Sequence, residues 1–279
     1  MQTSLYMSTK ASSMGRSAIK PMIRRVAITV RHATGNKKSV RDEWQNPTFA
    51  REWSLGGGAE RTNPDRARQL SILGAVCRRV ALSPQTANPT ILEVGCGSGL
   101  SGAAICSALP PSARCVGVDG SEAMLALARE IAPTMETRHL DFETATEQQI
   151  DETLRALGSP FAAVTYVQML HELNVEGKRS ALALARRHLQ PGAPVVVLDR
   201  FTFDAQSVFT SDYSGLWDAL SAGQSDMMSW DTYHAKYIGK KLDDAVSEAE
   251  QVKLLREAGF AHVEVLYRAF NRSLIVARD

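Results

Sequence analysis

The glycine-rich segment around residue 95 is the part of the sequence best suited to hold a ligand. Gly95, Gly97 and Gly99 let the backbone turn tightly and come close to a bound group. Asp119 follows about 20 residues after this turn, at the end of the next apolar run, where a carboxylate can accept hydrogen bonds from a ribose diol. The glycines alone would fit an ordinary turn, but the two features together predict a nucleoside-binding site.

Strand-like and helix-like segments alternate around this turn. Strands are predicted at 90–94, 114–118, 137–140, 161–167 and 194–198, and helices at 100–109, 122–131, 147–157 and 176–189. The alternation predicts a doubly wound, Rossmann-like α/β fold, in which helices cover both faces of a mostly parallel sheet. Ligands bind beyond the carboxyl ends of such strands, so the residues that follow each strand are the candidates for function.

The chain is predicted to consist of three regions. Residues 1–40 form a basic, disordered leader, residues 41–88 form an N-terminal helical lid, and residues 89–279 form the ligand-binding domain. Within the N-terminal lid, a pair of helices flanks the glycines at 56–58. Asn63 and Pro64 are expected to cap and begin the second of these helices.

Two later segments depart from the alternation. Residues 202–242 are polar, rich in Trp, Tyr and Met, and contain no strand-like run, which predicts a helical insertion. A helix at 246–258 is then followed by strands at 262–267 and 273–277. Because only a few residues separate these two strands, they are expected to form an antiparallel hairpin, which completes a seven-stranded sheet.

The motifs and their order resemble those of the class I S-adenosylmethionine-dependent methyltransferases. The sequence ILEVGCGSG at 91–99 and the sequence VGVD at 116–119 are similar to the first two signature motifs of that family. Later motifs follow at 139–142, 164–173, 189–198 and 254–260. The resemblance extends over about 89–277, interrupted by the insertion, and implies that the cofactor is S-adenosyl-L-methionine.

This resemblance assigns parts of the cofactor to individual residues. It places the methionine part beside Glu93 and the glycine turn, and the ribose on Asp119. The remaining assignments are Gly120, Met124, Asp141 and Phe142 for the adenine, and the backbone of Tyr166 and Val167 for the amino group. Met124 is equally well explained as a core residue.

The acceptor decides whether a catalytic base is needed. Methyl transfer from a sulfonium requires mainly that donor and acceptor are aligned and that water is excluded. A hydroxyl, thiol or ammonium acceptor must also lose a proton, whereas a thioether has none to lose. His171, four residues after the fourth predicted strand, is the candidate base because imidazole titrates near neutral pH. Helix capping or packing is the alternative explanation for this histidine.

Aromatic and basic side chains are expected to line the acceptor site. The aromatic ones are Trp44 and Trp53 before the domain, and Tyr213, Trp217, Tyr233 and Tyr237 in the insertion. Their ring faces attract cations, so the cofactor sulfonium or a cationic acceptor would be stabilised there, although packing within the lid is the alternative. Arg200, and Arg61 or Arg66, are candidates to bind an acceptor carboxylate through a bidentate fork, although an ordinary surface position is the alternative for Arg61 and Arg66.

The C-terminal half resembles more narrowly the carboxy-S-adenosylmethionine synthases. The similar segments are 199–203 and 258–271, whereas the glycine turn and the fourth-strand motif with His171 depart from that group. The main hypothesis is methyl transfer to O, N or S of a small polar metabolite. The alternatives are a carboxy-S-adenosylmethionine synthase-like enzyme, a tRNA-modifying methyltransferase and a non-catalytic cofactor-binding module.

Composition restricts the remaining classes. The 279 residues are 44% hydrophobic and 22% charged, as in ordinary globular proteins. No apolar run approaches the roughly 20 residues that cross a bilayer, so no membrane partner is expected. The four cysteines form no C-x-x-C pair and are interpreted as free thiols, with no metal site. We expect a cytoplasmic enzyme that acts on a small molecule rather than on nucleic acid, with a homodimer as an open possibility.

Charge is unevenly distributed along the chain. The formal net charge is only +2, yet the first 41 residues contain nine Lys or Arg and no Asp or Glu. This pattern fits an organelle transit segment, a disordered bacterial extension, or a start codon placed too early, since Met1, Met7 and Met14 are all available. Its cations could also contact phosphates, although no aromatic residue interleaves them after Met7.

Overall fold

A seven-stranded sheet forms the centre of the molecule. The computed structural model describes residues 43–83, 88–202, 210–238 and 246–279, so the predicted leader and both ends of the insertion lie outside the described residues. The strands are β1 (Thr90–Val94), β2 (Arg114–Asp119), β3 (Glu136–His139), β4 (Ala163–Val167), β5 (Val195–Arg200), β6 (His262–Ala269) and β7 (Arg272–Arg278). Their spatial order is β3-β2-β1-β4-β5-β7-β6.

The sheet is parallel except at one end. Strands β1 to β5 pair in parallel, whereas β7 is antiparallel to both β5 and β6. This confirms the predicted doubly wound α/β fold with a C-terminal antiparallel hairpin. The boundaries differ from the predicted ones by at most two residues; Phe161, for example, forms only an isolated bridge with Leu189 before β4 begins.

The helices occupy the connections that the sequence predicts. They are α1 (Pro47–Leu55), α2 (Arg66–Ala81), α3 (Leu100–Ala108), α4 (Glu122–Ile131), α5 (Glu147–Ala156), α6 (Val175–His188), α7 (Thr210–Ser221), α8 (Trp230–Tyr233) and α9 (Glu248–Glu257). Local side-chain bonds fix several starts, because an N-terminal oxygen satisfies an otherwise unpaired amide. The Ser121 hydroxyl accepts from the Met124 amide at 3.1 Å, and Thr146 and Gln149 form a capping box.

The predicted start of the second N-terminal helix is wrong. Helix α2 begins at Arg66 after Asp65, not at Asn63. The side-chain oxygen of Asn63 instead accepts from the Asp65 amide at 3.3 Å, and its side-chain nitrogen donates to Gln69 at 2.8 Å. Asn63 therefore closes a turn before the helix, because a short polar side chain can bond the backbone two residues ahead.

Two apolar layers sandwich the sheet, and β1 shows how the strands divide between them. Leu92 and Val94 face the layer that includes α5, α6 and α9, whereas Ile91 faces the layer formed with α2, α3 and α4. Glu93 alternates with Leu92 and Val94 and therefore faces the same side as Ile91. A carboxylate is thus directed into an apolar layer, directly before the glycine turn.

The described portion of the insertion is helical, as predicted, and contacts the N-terminal segment. It consists of α7, α8 and a π-helical turn at His234–Ile238. The Met228 amide donates to the Arg61 carbonyl at 3.0 Å, and the Gln224 side chain donates to the Pro64 carbonyl at 3.4 Å. Within residues 43–83, 88–202, 210–238 and 246–279, no helix is both long enough and apolar enough to span a membrane.

Candidate active site

The glycine turn has the backbone geometry that only glycine adopts easily. Gly95, Gly97 and Gly99 have φ values of 69°, 52° and 80°. A Cβ atom at Gly95 would lie 2.4 Å from the Met169 side chain, so the absence of a side chain is required there for packing as well as for backbone shape. The turn connects β1 to α3 and leaves its backbone amides at the carboxyl edge of the sheet.

Asp119 is bonded directly to this turn. Its Oδ2 accepts from the Gly97 amide at 2.8 Å, and its Oδ1 accepts from the Ser121 amide at 2.8 Å. Burial raises the pKa of Asp119, and the hydrogen bonds from Ser121 and Gly97 only partly oppose this shift. The two strongest sequence features, 22 residues apart along the chain, therefore form one site.

Glu93 is a buried carboxylate with an unused acceptor. Its side chain has no exposed surface, and the Ser101 hydroxyl donates to Oε1. Oε2 is buried and has no hydrogen-bond partner. Burial raises the pKa of Glu93 to about 8, although the Ser101 hydrogen bond opposes the shift. A ligand ammonium group placed here would supply the missing partner.

The residues assigned to the adenine lie together beyond β2. Gly120 lies beside Asp141, because a Cβ added at Gly120 would be 3.5 Å from the Asp141 Cα. The Met124 methyl group approaches Gly97, and Met124 also belongs to a small core with Ala50. Both explanations of Met124 are therefore compatible with its position. Phe142 is partly buried against the main core.

The N-terminal segment covers this end of the site. The Gln45 side chain donates to the Gly120 carbonyl at 2.8 Å, and the Ser121 hydroxyl donates to the Trp44 carbonyl at 2.6 Å. The Trp44 and Trp53 rings meet edge to face, with their centroids 5.6 Å apart. These contacts place Trp44 beside the residues assigned to the adenine.

Tyr166 and Val167 end β4 inside the core. The Tyr166 side chain is fully buried, and its hydroxyl donates to the Ala181 carbonyl at 2.5 Å, while Val167 packs on the opposite face of the sheet. Their side chains therefore serve the core, and only their backbone is available for the predicted contact with the cofactor.

His171 is held by a carboxylate that sequence reasoning missed. Its Nδ1 lies 2.5 Å from Asp199 Oδ1, and its backbone amide donates to Asp199 Oδ2 at 3.0 Å. Burial raises the pKa of Asp199, but the His171 charge and hydrogen bond outweigh burial and leave this pKa below its ordinary value. Asp199 lies near the carboxyl end of β5, which pairs with β4, the strand that precedes His171. A search among the residues at the carboxyl ends of neighbouring strands could therefore have found it.

A second carboxylate faces the other nitrogen of this ring. His171 Nε2 lies 2.9 Å from Glu172 Oε1, and the same oxygen lies 3.5 Å from Arg200 Nη2. Arg200 also stacks on Tyr237, with its guanidinium carbon 4.9 Å from the ring centroid. His171, Arg200 and Tyr237 are thus brought together at the carboxyl edge, and their role in binding the acceptor stays a prediction.

The insertion aromatics form a core of their own. Trp217 and Tyr233 are 1% and 0% exposed and stack with centroids 4.5 Å apart, and Phe270 from the end of the hairpin meets Trp217 at 5.3 Å. Tyr213 packs against this cluster from outside. Among the described residues, no ring of this cluster pairs with Trp44 or Trp53. The predicted aromatic lining therefore consists of two separate groups.

Comparisons with known proteins identify this arrangement. The family model described as "Methyltransferase domain" matches residues 91–192, which include the glycine turn, Asp119 and His171. Those residues form a methyltransferase domain. Its cofactor is S-adenosylmethionine, which the site fits because Glu93, two residues before the glycine turn, has a buried carboxylate oxygen without a partner.

The relatives of this methyltransferase are distant. A carboxy-S-adenosyl-L-methionine synthase from Photorhabdus laumondii is 23% identical over 222 residues, which are 78% of this chain and 82% of the relative. The solved CurJ carbon methyltransferase has a TM-score of 0.53 at 18% identity, over 75% of this chain. PigF, solved with SAH, has a TM-score of 0.52 at 16% identity, over 85% of this chain. The methyltransferase spans only 53% and 61% of those two structures, and the likeness shows a shared fold.

Proposed function

We propose that this methyltransferase transfers a methyl group from S-adenosylmethionine to O, N or S of a small polar metabolite, with His171 as the general base. The observation that supports the base is the 2.5 Å contact between His171 Nδ1 and Asp199 Oδ1. A carboxylate that accepts from Nδ1–H holds the ring with Nε2 facing away from Asp199. In this structure Nε2 donates its proton to Glu172, and it becomes the basic nitrogen once Glu172 moves away and carries that proton to solvent. The ring is thereby oriented to receive a proton from an acceptor.

Glu172 must yield its place for this step. Its Oε1 lies 2.9 Å from His171 Nε2, which is the position that an acceptor hydroxyl or ammonium would occupy. The Glu172 side chain is 34% exposed, whereas that of His171 is 10% exposed. Displacement of the more exposed partner by the acceptor therefore brings the acceptor proton to Nε2 while Asp199 keeps the ring in place.

The other residues position the reactants and exclude water. The cofactor supplies an electrophilic methyl group on a positively charged sulfur. Asp119 and the glycine turn orient the nucleoside end, while Glu93 and the backbone of Tyr166 and Val167 hold the methionine end. The lid cluster around Trp217 closes the acceptor side, where exclusion of water and alignment account for most of the acceleration.

A screen of acceptors tests this proposal. Purified full-length enzyme is incubated with S-adenosylmethionine and sets of small hydroxyl, amine, thiol and thioether compounds, and released S-adenosylhomocysteine is measured. We expect turnover with at least one acceptor that carries a proton, and loss of that turnover in His171→Ala. If only thioethers react, or if the variant is fully active, His171 is not the base.

The synthase-like alternative is tested in the same reactions. It is favoured by the alignment with the Photorhabdus laumondii relative, which covers most of both chains. Parallel reactions also contain a carboxylic acid that can give up its carboxyl group, and mass spectrometry of the cofactor pool distinguishes the two activities. Transfer of that carboxyl group to the cofactor's methyl carbon, with the displaced proton passing to the donor, would give a heavier cofactor without releasing S-adenosylhomocysteine. We expect release of S-adenosylhomocysteine.

A further inference from the structure

Two arginines stand side by side at the acceptor end of the sheet. Arg272 begins β7 and lies directly opposite Arg200, the last residue of β5, in the antiparallel ladder. Directly opposed residues place their side chains on the same face of a sheet, and like charges in that position destabilise the pair. An arrangement of this kind needs a source of negative charge nearby.

Arg200 forms an ion pair, whereas Arg272 forms none among the described residues, and only the charge of Asp199 acts on it from a neighbouring strand. Arg200 lies 3.5 Å from a Glu172 oxygen. Arg272 is only 2% exposed. Its Nη1 donates to two neutral oxygens, the Tyr233 hydroxyl at 2.9 Å and the Asn271 side-chain oxygen at 3.4 Å. Its Nε is buried and has no partner. A buried cation without a counter-ion is costly, so it is usually paired.

Arg66 is a third cation in the same region. It begins α2, which packs on the face of the sheet toward which Arg272 points, as Leu73 and Leu274 share one core. Its Nε lies 3.4 Å from Glu60 Oε1 but forms no hydrogen bond. Burial lowers the pKa of Arg66; Glu60 opposes the shift, and the positive charge of Arg272 adds to it. Arg66 and Arg272 are therefore two cations directed toward the same face of the sheet, each with a buried Nε that lacks a hydrogen-bond partner.

We propose that Arg66 and Arg272 together bind a carboxylate group at the acceptor side of the site. Each has an unsatisfied Nε donor, and the planar guanidinium matches a carboxylate with two parallel hydrogen bonds. The carboxylate belongs either to the acceptor or to the methionine end of the cofactor. Its assignment to the acceptor rests on the proposed function, whereas carboxylate binding by this pair does not.

Formate, the smallest carboxylate, tests the pair without knowledge of the acceptor. The melting temperature of the full-length protein is measured in increasing sodium formate and in sodium chloride of equal ionic strength. A ligand that binds only the native state raises the melting temperature, so formate is expected to stabilise the wild type more than chloride does. Arg66→Gln and Arg272→Gln are expected to abolish the difference. Arg278→Gln, an exposed change at the other end of β7, is expected to retain it.

Saturating S-adenosylhomocysteine distinguishes the two sources. If formate still stabilises the complex, the carboxylate site belongs to the acceptor; if the effect disappears, the cofactor's own carboxylate occupies it. Should Arg272→Gln fail to fold, Arg272→Lys keeps the charge but not the fork, and is expected to weaken formate binding about 10-fold. A formate effect equal to that of chloride in the wild type, or one unchanged in both variants, would overturn the proposal. If the wild-type protein binds formate but transfers no methyl group to any acceptor, the result would count against the proposed function alone.

Discussion

Asp199 determines how His171 can act, because one buried carboxylate holds both the ring and the backbone of this residue. Asp199→Asn keeps the shape but removes the charge that orients the ring. We expect it to lower kcat for a proton-bearing acceptor by about 10²-fold to 10⁴-fold, as loss of general-base catalysis does, and to leave S-adenosylhomocysteine affinity unchanged.

The comparison variants for this prediction are His171→Ala and Asp218→Asn. Asp218 is exposed on α7 and should have no effect on turnover. Steady-state kinetics and calorimetric titration with S-adenosylhomocysteine provide the two measurements. Full turnover in Asp199→Asn would show that the pair is structural rather than catalytic.

The raised pKa of Glu93 predicts that the stability of the unliganded protein depends on pH. Because burial raises its pKa from 4.5 to about 8, the folded state retains a proton that the unfolded state has already lost between these values. Stability is therefore highest below the ordinary pKa and declines as pH rises through this window. Glu93→Gln is expected to flatten the decline and to weaken S-adenosylhomocysteine binding. Melting curves from about pH 5 to about pH 8 measure the first effect, with Glu264→Gln, an exposed change, as the control. An unchanged slope in Glu93→Gln would contradict the assignment.

The residues of the site differ in how well the sequence alone predicts their place in it. The glycines and Asp119 could be predicted because their spacing along the chain determines their geometry. Asp199 could not be paired with His171 from spacing alone, since they meet only because β4 and β5 are neighbours. Arg272 was missed for a different reason: arginine is normally exposed, and no local pattern reveals that this one is 2% exposed.

At the scale of elements, the turn between β1 and α3 is the most constrained connection. Gly95 and Gly192 both have positive φ values, 69° and 73°, but a Cβ added at Gly95 would meet Met169, whereas one added at Gly192 would meet nothing within 4 Å. Gly95→Ala is expected to weaken S-adenosylhomocysteine binding at least 10-fold, because the turn must shift away from Met169. Gly192→Ala is expected to cost about 1 kcal/mol of stability through its backbone alone, with cofactor affinity unchanged. Equal cofactor affinities in the two variants would show that the shape of the turn does not limit binding.

The order of strands and helices was predictable because hydrophobic periodicity and punctuating glycines and prolines act locally. The start of α2 was not, because Asn63 uses its side chain for a turn that competes with helix capping. The division of the aromatic residues into two groups could not be predicted from the sequence either. It depends on which end of the sheet the N-terminal segment covers and which end the insertion covers.

At the scale of the whole molecule, the N-terminal region contributes unequally to the cofactor site. Deletion of residues 1–40 is expected to leave the fold and cofactor affinity intact, because this segment has neither the apolar periodicity nor the capping residues of a packed helix. Deletion of residues 1–58 also removes Trp44, Gln45 and α1, and with them the bonds to Ser121 and Gly120, and is expected to weaken S-adenosylhomocysteine binding. Titration of both truncated proteins tests the difference. Loss of binding in the shorter deletion would show that the leader belongs to the domain.

The self-contained aromatic core of the lid also has an evolutionary consequence. Trp217, Trp230 and Tyr233 pack on one another and meet the sheet at Phe270 and Arg272, at the opposite end from the residues assigned to the adenine. Mutations that reshape the surface of α7 and α8 that is proposed to face the acceptor would therefore leave the nucleoside-binding edge undisturbed. Lineages that share this scaffold can diverge in the compounds they modify while they inherit the same methyl donor.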